Sequence, residues 1–113
     1  ISYLYQITNF ELQNMYNLRE LSCQGCRVSD QAMYTFLKCC SQLEFLDLSG
    51  CFNITNDTLT AAAAATLERE NNTILKIFVG GTSVILDEFF DISPLLYIVN
   101  VLLSDYFVPN FNP

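Results

Sequence analysis

The sequence predicts an α/β solenoid of about four partial or complete repeats. Each repeat lays a short parallel strand on a concave face and a helix on the convex face. Three observations predict it. An apolar frame recurs, as Leu18-x-x-Leu21-x-Cys23-x-x-Cys26, Leu43-x-x-Leu46-x-Leu48-x-x-Cys51 and Ile74-x-x-Ile77-x-Val79-x-x-Thr82. Within each recurrence, an alternating pattern gives way to a helical one. The chain has 113 residues, 51% of them apolar, which suits one domain with a continuous core. Units repeating every ~20–50 residues cannot bury their apolar faces alone and must stack.

Taken in chain order, the units start at Leu18, Leu43 and Ile74, with a weaker start at Leu96 (Leu96-x-x-Val99-x-Val101-x-x-Ser104). Upstream, Ile7-Thr8-Asn9-x-x-Leu12 has the form of Ile54-Thr55-Asn56-x-x-Leu59, so Ile1 falls inside a strand and Leu4 in the Cys slot. The domain spans 1–113 and reads as a piece of a longer chain. Its terminal strands, at Ile1 and at Leu96–Val101, are expected to have unpaired edges, which favour self-association. In each strand the frame residues face one side and those between them face the other. The Cys slot turns inward, where Cys, Thr or Ser fills the corner and bonds turning backbone.

The second half of each unit is helical. Thr8-x-x-Glu11 has the form of a capping box, opening one short turn. Ser29 or Asp30 can cap the next helix, whose apolar face is Ala32, Met33, Phe36, Leu37 and Cys40. Thr55 or Asn56 caps another, running through Leu59, Ala61–Ala65 and Leu67. Alanine is the best helix former and lets a helix lie close to a sheet. Glu68 to Asn72 reads as its solvated end. Gly80-Gly81 supplies a turn, Pro94 stops a helix over Val84–Asp91, and Leu95–Leu103 favours β structure. Val108–Pro113 reads as an extended tail.

Five cysteines offer a disulfide framework or a metal site. Cys23-x-x-Cys26 is half of a zinc ribbon, with Cys39-Cys40 as the nearest complement. Such a site wants a second C-x-x-C or a His pair, and the chain has no His. The cysteines instead occupy strand and corner slots, as small buried hydrophobes. No metal or other cofactor is expected, and reduced thiols point to the cytoplasm or nucleus. Without His, no Ser-His or Cys-His pair can form, and no phosphate-binding glycine motif occurs. No catalytic residue is assigned. With 12 acidic residues against 5 basic, a nucleic-acid partner is not expected. Nor is a membrane partner: the longest apolar run, Pro94–Leu103, is short and broken by Asn100.

Function is therefore sought on the strand face, the side solenoids use for binding. Its outward residues are Glu20, Ser22 and Gln24, then Phe45, Asp47 and Ser49, then Lys76 and Phe78. Phe45 and Phe78 stand out as aromatics where exposure is expected. They are binding anchors, or they cover each other or the tail.

The stretch Cys40-x-x-Leu43-x-x-Leu46-x-Leu48-Ser49-Gly50-Cys51, followed by Asn53-Ile54-Thr55-Asn56-x-x-Leu59, resembles the cysteine-containing leucine-rich repeats of F-box/leucine-rich-repeat proteins. The unit at Leu18 is similar but one residue shorter after its Cys. The unit at Ile74 departs further, with Asn71 and Thr82 where Cys is expected. The resemblance covers about residues 1–86. It implies a curved α/β solenoid, a protein substrate on the concave face and, in many relatives, recruitment of that substrate to a cullin–RING ubiquitin ligase. The ligase adaptor would dock through an F-box, and no segment here reads as one. The alternative is a scaffold or assembly factor outside the ligase system.

Overall fold

In the computed structural model, residues 2–3, 16–89 and 93–103 are described. Five parallel strands follow one another in sheet order: β1 (Ser2–Tyr3), β2 (Glu20–Ser22), β3 (Phe45–Asp47), β4 (Leu75–Phe78) and β5 (Leu96–Val99). Helix α1 (Asp30–Cys39) connects β2 to β3, and α2 (Asn56–Glu68) connects β3 to β4. A 3-10 turn, Leu86–Glu88, lies between β4 and β5. The molecule is a small α/β domain with a parallel sheet and two helices among the described residues.

The register follows the apolar frame. Leu21 sits opposite Leu46, and Leu46 opposite Ile77. All three are fully buried, each side chain contributing about 1.5–3 kcal/mol of hydrophobic stabilisation. The ladder runs on past the strands. Cys23 N–H donates to Asp47 O, Leu48 N–H to Phe78 O and Val79 N–H to Val99 O, at 2.8–2.9 Å.

The expected frame departs from the structure at two places. In the unit begun at Ile74, Leu75 is fully buried and Ile74 is 55% exposed. β4 starts at Leu75, which is itself a core residue, whereas Leu43 enters the core two residues before β3 begins. The second departure is the start at Leu96, which is one residue late. Ile98, not Val99, faces Ile77. The run from Leu95 to Val99 has no polar alternation to fix its phase. The register is set instead by backbone bonds such as Leu75 N–H to Leu95 O.

Both helices begin on a β-hydroxyl cap. Ser29 Oγ accepts from Ala32 N–H, and Thr55 Oγ1 from Asp57 N–H. In α1 the expected face holds: Met33, Phe36, Leu37 and Cys40 are buried, and Ala32 packs partly against them. In α2 the equivalent face is Thr58, Leu59, Ala62, Ala63 and Thr66, all buried. Leu67 falls one position beyond that stripe and is 61% exposed, contrary to expectation. Thr66 takes the core position because its hydroxyl is satisfied, 3.0 Å from the carbonyl of Ala62 and 2.8 Å from Ser93 Oγ. The helix expected over Val84–Asp91 is reduced to the single 3-10 turn, residues 90–92 lying outside the described set. With Ile98 only 21 residues after Ile77, little chain remains for a full helix.

The residue after each helix cap ties one unit to the next. Asp30 accepts from Thr55 N–H at 2.9 Å, from Thr55 Oγ1 at 2.7 Å and from Thr58 Oγ1. Asn56 repeats this one unit on, accepting from Ile85 N–H and donating to Ile85 O, both at 2.8 Å. The capping box at Thr8, the strand at Ile1 and the tail from Val108 lie outside the described residues.

Candidate functional site

Parallel pairing sorts the outward strand residues into rows across the sheet. The first row is Glu20, Phe45, Lys76 and Tyr97, which stand side by side in register. Glu20 is exposed, Phe45 and Lys76 are partly exposed, and Tyr97 is 52% exposed. Lys76 Nζ lies 5.5 Å from the Tyr97 ring centroid, a cation–π distance. Gln24, further along the same face, is also exposed.

The second row is closed. Ser22, Asp47, Phe78 and Val99 are buried. Four residues expected to face solvent therefore do not: Ser22, Asp47, Ser49 and Phe78. Each has a physical reason. Ser22 Oγ donates to Asp47 Oδ2 at 3.0 Å, and Ser49 N–H donates to Asp47 Oδ1 at 3.0 Å, so the carboxylate organises the strand end. Ser49 Oγ accepts from Leu103 N–H at 3.0 Å, because residues 101–103 pass over this end of the sheet. Phe78 packs on Phe45 with centroids 5.3 Å apart and planes tilted by 49°. Of the two readings of the aromatic pair, mutual cover describes Phe78, while Phe45 keeps part of its surface open.

Tyr97 was missed because the fourth frame was placed one residue late. Setting Leu95 in the Ile74 slot brings Tyr97 beside Lys76, and Pro94 just ahead of the apolar run is the signal for that placement.

The sequence pattern makes Arg69 part of a solvated helix end, yet it is only 9% exposed. Its Nη1 donates to Leu43 O at 2.9 Å and to Thr73 O at 3.3 Å. Burial lowers its pKa from the ordinary guanidinium value, and the nearby Cys40 partly offsets this.

All five cysteines are unbridged, and only Cys39 is exposed. Corner positions bond backbone as expected of them: Cys51 Sγ donates to Cys23 O at 2.9 Å and Thr82 Oγ1 to Val79 O at 2.6 Å. Burial, together with the neighbouring Cys26 and Asp47, pushes the Cys51 thiol up to about 11. Burial also raises Cys23 and Cys40. Such thiols stay protonated and are poor nucleophiles near neutral pH. Among the described residues, no group of three or more His, Cys, Asp or Glu is placed to hold a metal.

No family model, curated protein or solved structure matches this chain. No helix among the described residues is long and apolar enough to cross a membrane.

Proposed function

We propose that the chain is a leucine-rich-repeat solenoid module that binds a protein on its strand face. The observation that carries this is the in-register row of Glu20, Phe45, Lys76 and Tyr97. It combines two aromatics and both charge signs on one side of a rigid sheet. Aromatic anchors among polar neighbours are the usual makings of a protein hot spot. The solenoid reading is supported by strands that pair in sequence order and by forward bonds from Asp30 and Asn56. Unbridged cysteines favour a cytoplasmic or nuclear setting. The sequence resemblance makes the partner the substrate of an F-box-type ubiquitin ligase receptor, with the ligase adaptor held by an F-box outside these residues.

The test is capture by a photo-crosslinking residue placed at 45 or 97, followed by affinity measurement with the captured protein. Tyr97→Ala combined with Phe45→Ala should weaken binding by about 1–2 kcal/mol or more. Unchanged affinity in the double variant would reject this face. Recovery of the captured protein in a stable assembly without ubiquitin machinery would replace the ligase reading with the scaffold one.

A further inference from the structure

The strand face has a third outward row. Two residues on from Ser22, Asp47 and Phe78 stand Gln24, Ser49 and Gly80. Gly25 N–H donates to Ser49 O and Gly50 N–H to Gly80 O, both at 2.8 Å, so the row is continuous across the sheet. Its centre carries almost no side chain, a hydroxymethyl at Ser49 and nothing at Gly80, which makes it a trough. Residues 101–103 lie in that trough, crossing from β5 over Gly80 to Ser49. A Cβ at Gly80 would meet the backbone of Val101 and Leu102 at 2.1–2.5 Å, so the floor there accepts only close-lying main chain. Leu103 N–H donates to Ser49 Oγ at 3.0 Å, and Leu102 Cδ2 lies over Gly81. Ser49 is fixed for this role, because its own N–H is held by Asp47 Oδ1.

These are the contacts by which a protein grips an extended peptide: a main-chain N–H on a fixed acceptor, main chain against glycine and one aliphatic side chain beside it. They are also light. Among the described residues, the bond to Ser49 is the one hydrogen bond made by 101–103, and Val101 and Leu102 are 42% and 37% exposed. A single neutral bond is a small part of a domain's stability, so the segment can lift without global unfolding. Beyond Ser49 the row continues to Gln24, which is exposed and offers an amide able to donate and accept. We propose that the third row is a slot for an extended, aliphatic segment of a protein partner, and that residues 101–103 are the chain's own occupant, displaced when the partner enters. This rests on the reading of the strand face as a binding surface. It adds an internal competitor, which lowers the partner's apparent affinity by the fraction of chains in which the slot is open.

The probe is a capped synthetic peptide with the sequence of residues 100–104, titrated against the whole chain while the amide resonances of Ser49 and Gly80 are followed. Leu103→Pro removes the competing N–H and leaves Gln24, Ser49 and Gly80 in place. It should bind the peptide at least about tenfold tighter than wild type, whose tethered segment competes at an effective concentration on the order of millimolar. Methylating the peptide nitrogen that corresponds to Leu103 should weaken binding several-fold. Equal affinity for the two proteins, or no saturable shift in either up to about 10 mM, overturns the slot. Wild type supplies a second readout should Leu103→Pro fail to fold. Its Leu103 amide should exchange with solvent at least about a hundredfold faster than the Leu48 amide, which is bonded to Phe78 O. Equal protection would mean that the segment leaves only on unfolding, and also overturns the proposal. Phe45→Ala combined with Tyr97→Ala should leave peptide affinity unchanged within about twofold, so a failure of the first row is distinguishable from a failure of the slot.

Discussion

Replacing Gly80 by alanine tests the closed end of the sheet directly. A Cβ on Gly80 would lie 2.1 Å from the carbonyl carbon of Val101, 2.3 Å from Leu102 N and 2.5 Å from Val101 O. All three are backbone atoms, so no side-chain rotation relieves the clash. Residues 101–102 must move by about 1 Å or more to restore ordinary contact. That segment is held by the bond from Leu103 N–H to Ser49 Oγ, while Gly80 O accepts from Gly50 N–H at 2.8 Å. Overpacking of this kind costs about 1–3 kcal/mol, and losing the Ser49 bond adds about 1 kcal/mol. Gly80→Ala should therefore destabilise by about 2–4 kcal/mol, the upper end being limited by release of the 101–103 segment. Gly25→Ala is the internal comparison. Gly25 has φ +71° and nothing within 4 Å of its Cβ position, so alanine there meets only the left-handed backbone penalty of about 1–2 kcal/mol. Urea unfolding of the two variants gives the difference, and hydrogen exchange at the Leu103 amide shows whether the segment has lifted. If Gly80→Ala unfolds within about 0.5 kcal/mol of wild type, or leaves Leu103 protection unchanged, the close crossing at Gly80 is refuted.

Three further outcomes are expected. Leu46→Ala should lose about 2–5 kcal/mol and Phe45→Ala only about 1 kcal/mol, the latter through its ring contact with Phe78; the reverse order in a denaturant melt would mean the strand faces are misassigned. Asp30→Ala should cost about 2–3 kcal/mol because three donors on Thr55 and Thr58 lose a charged acceptor. Thermal melts of Asp30→Ala that match wild type would show that this clamp contributes nothing. Raising the pH should also destabilise the fold. The folded Cys51 pKa, about 11, lies above its ordinary value of 9.0, so the native state holds a proton that the unfolded chain releases. That contribution, about 2–3 kcal/mol, is complete below about pH 9 and lost as pH rises through about 11. Stability that stays flat across this window, or falls equally in Cys51→Ala, would remove Cys51 as the cause.

The α/β class, the parallel order and the two helices were legible because Leu21, Leu46 and Ile77 recur at the same place in an apolar frame that is followed by a helical pattern in the first two units. The helix caps were legible to within one residue, as Ser29 or Asp30 and Thr55 or Asn56, and the structure places them at Ser29 and Thr55. What escaped was set by contacts distant in sequence. Arg69 looks like an ordinary charged helix end until the backbone oxygen of Leu43 arrives beside it. Asp47 looks like an open strand position until Ser22 and the Ser49 amide bond its carboxylate, and Ser49 does so until Leu103 N–H reaches its hydroxyl. Leu67 and Ile74 were misplaced because adjacent apolar residues, or an apolar residue beside Thr66, leave the phase of a pattern ambiguous. On the candidate face the same limits applied. Glu20, Gln24, Phe45 and Lys76 keep exposed surface, whereas the closed second row and the contribution of Tyr97 depended on a register that only backbone pairing defines.

The bonds from Asp30 to Thr55 and from Asn56 to Ile85 all run in one direction along the chain. Each helix start is gripped by the residue just after the preceding cap, and that residue is already in place when the next segment arrives. A polypeptide emerging from its N-terminal end therefore meets a prepared seat at Thr55 and another at Ile85. Assembly can proceed as a zipper closing toward the C-terminus. Disassembly should run the other way, peeling from the C-terminal side and stopping longest at Asp30, where the carboxylate accepts three hydrogen bonds.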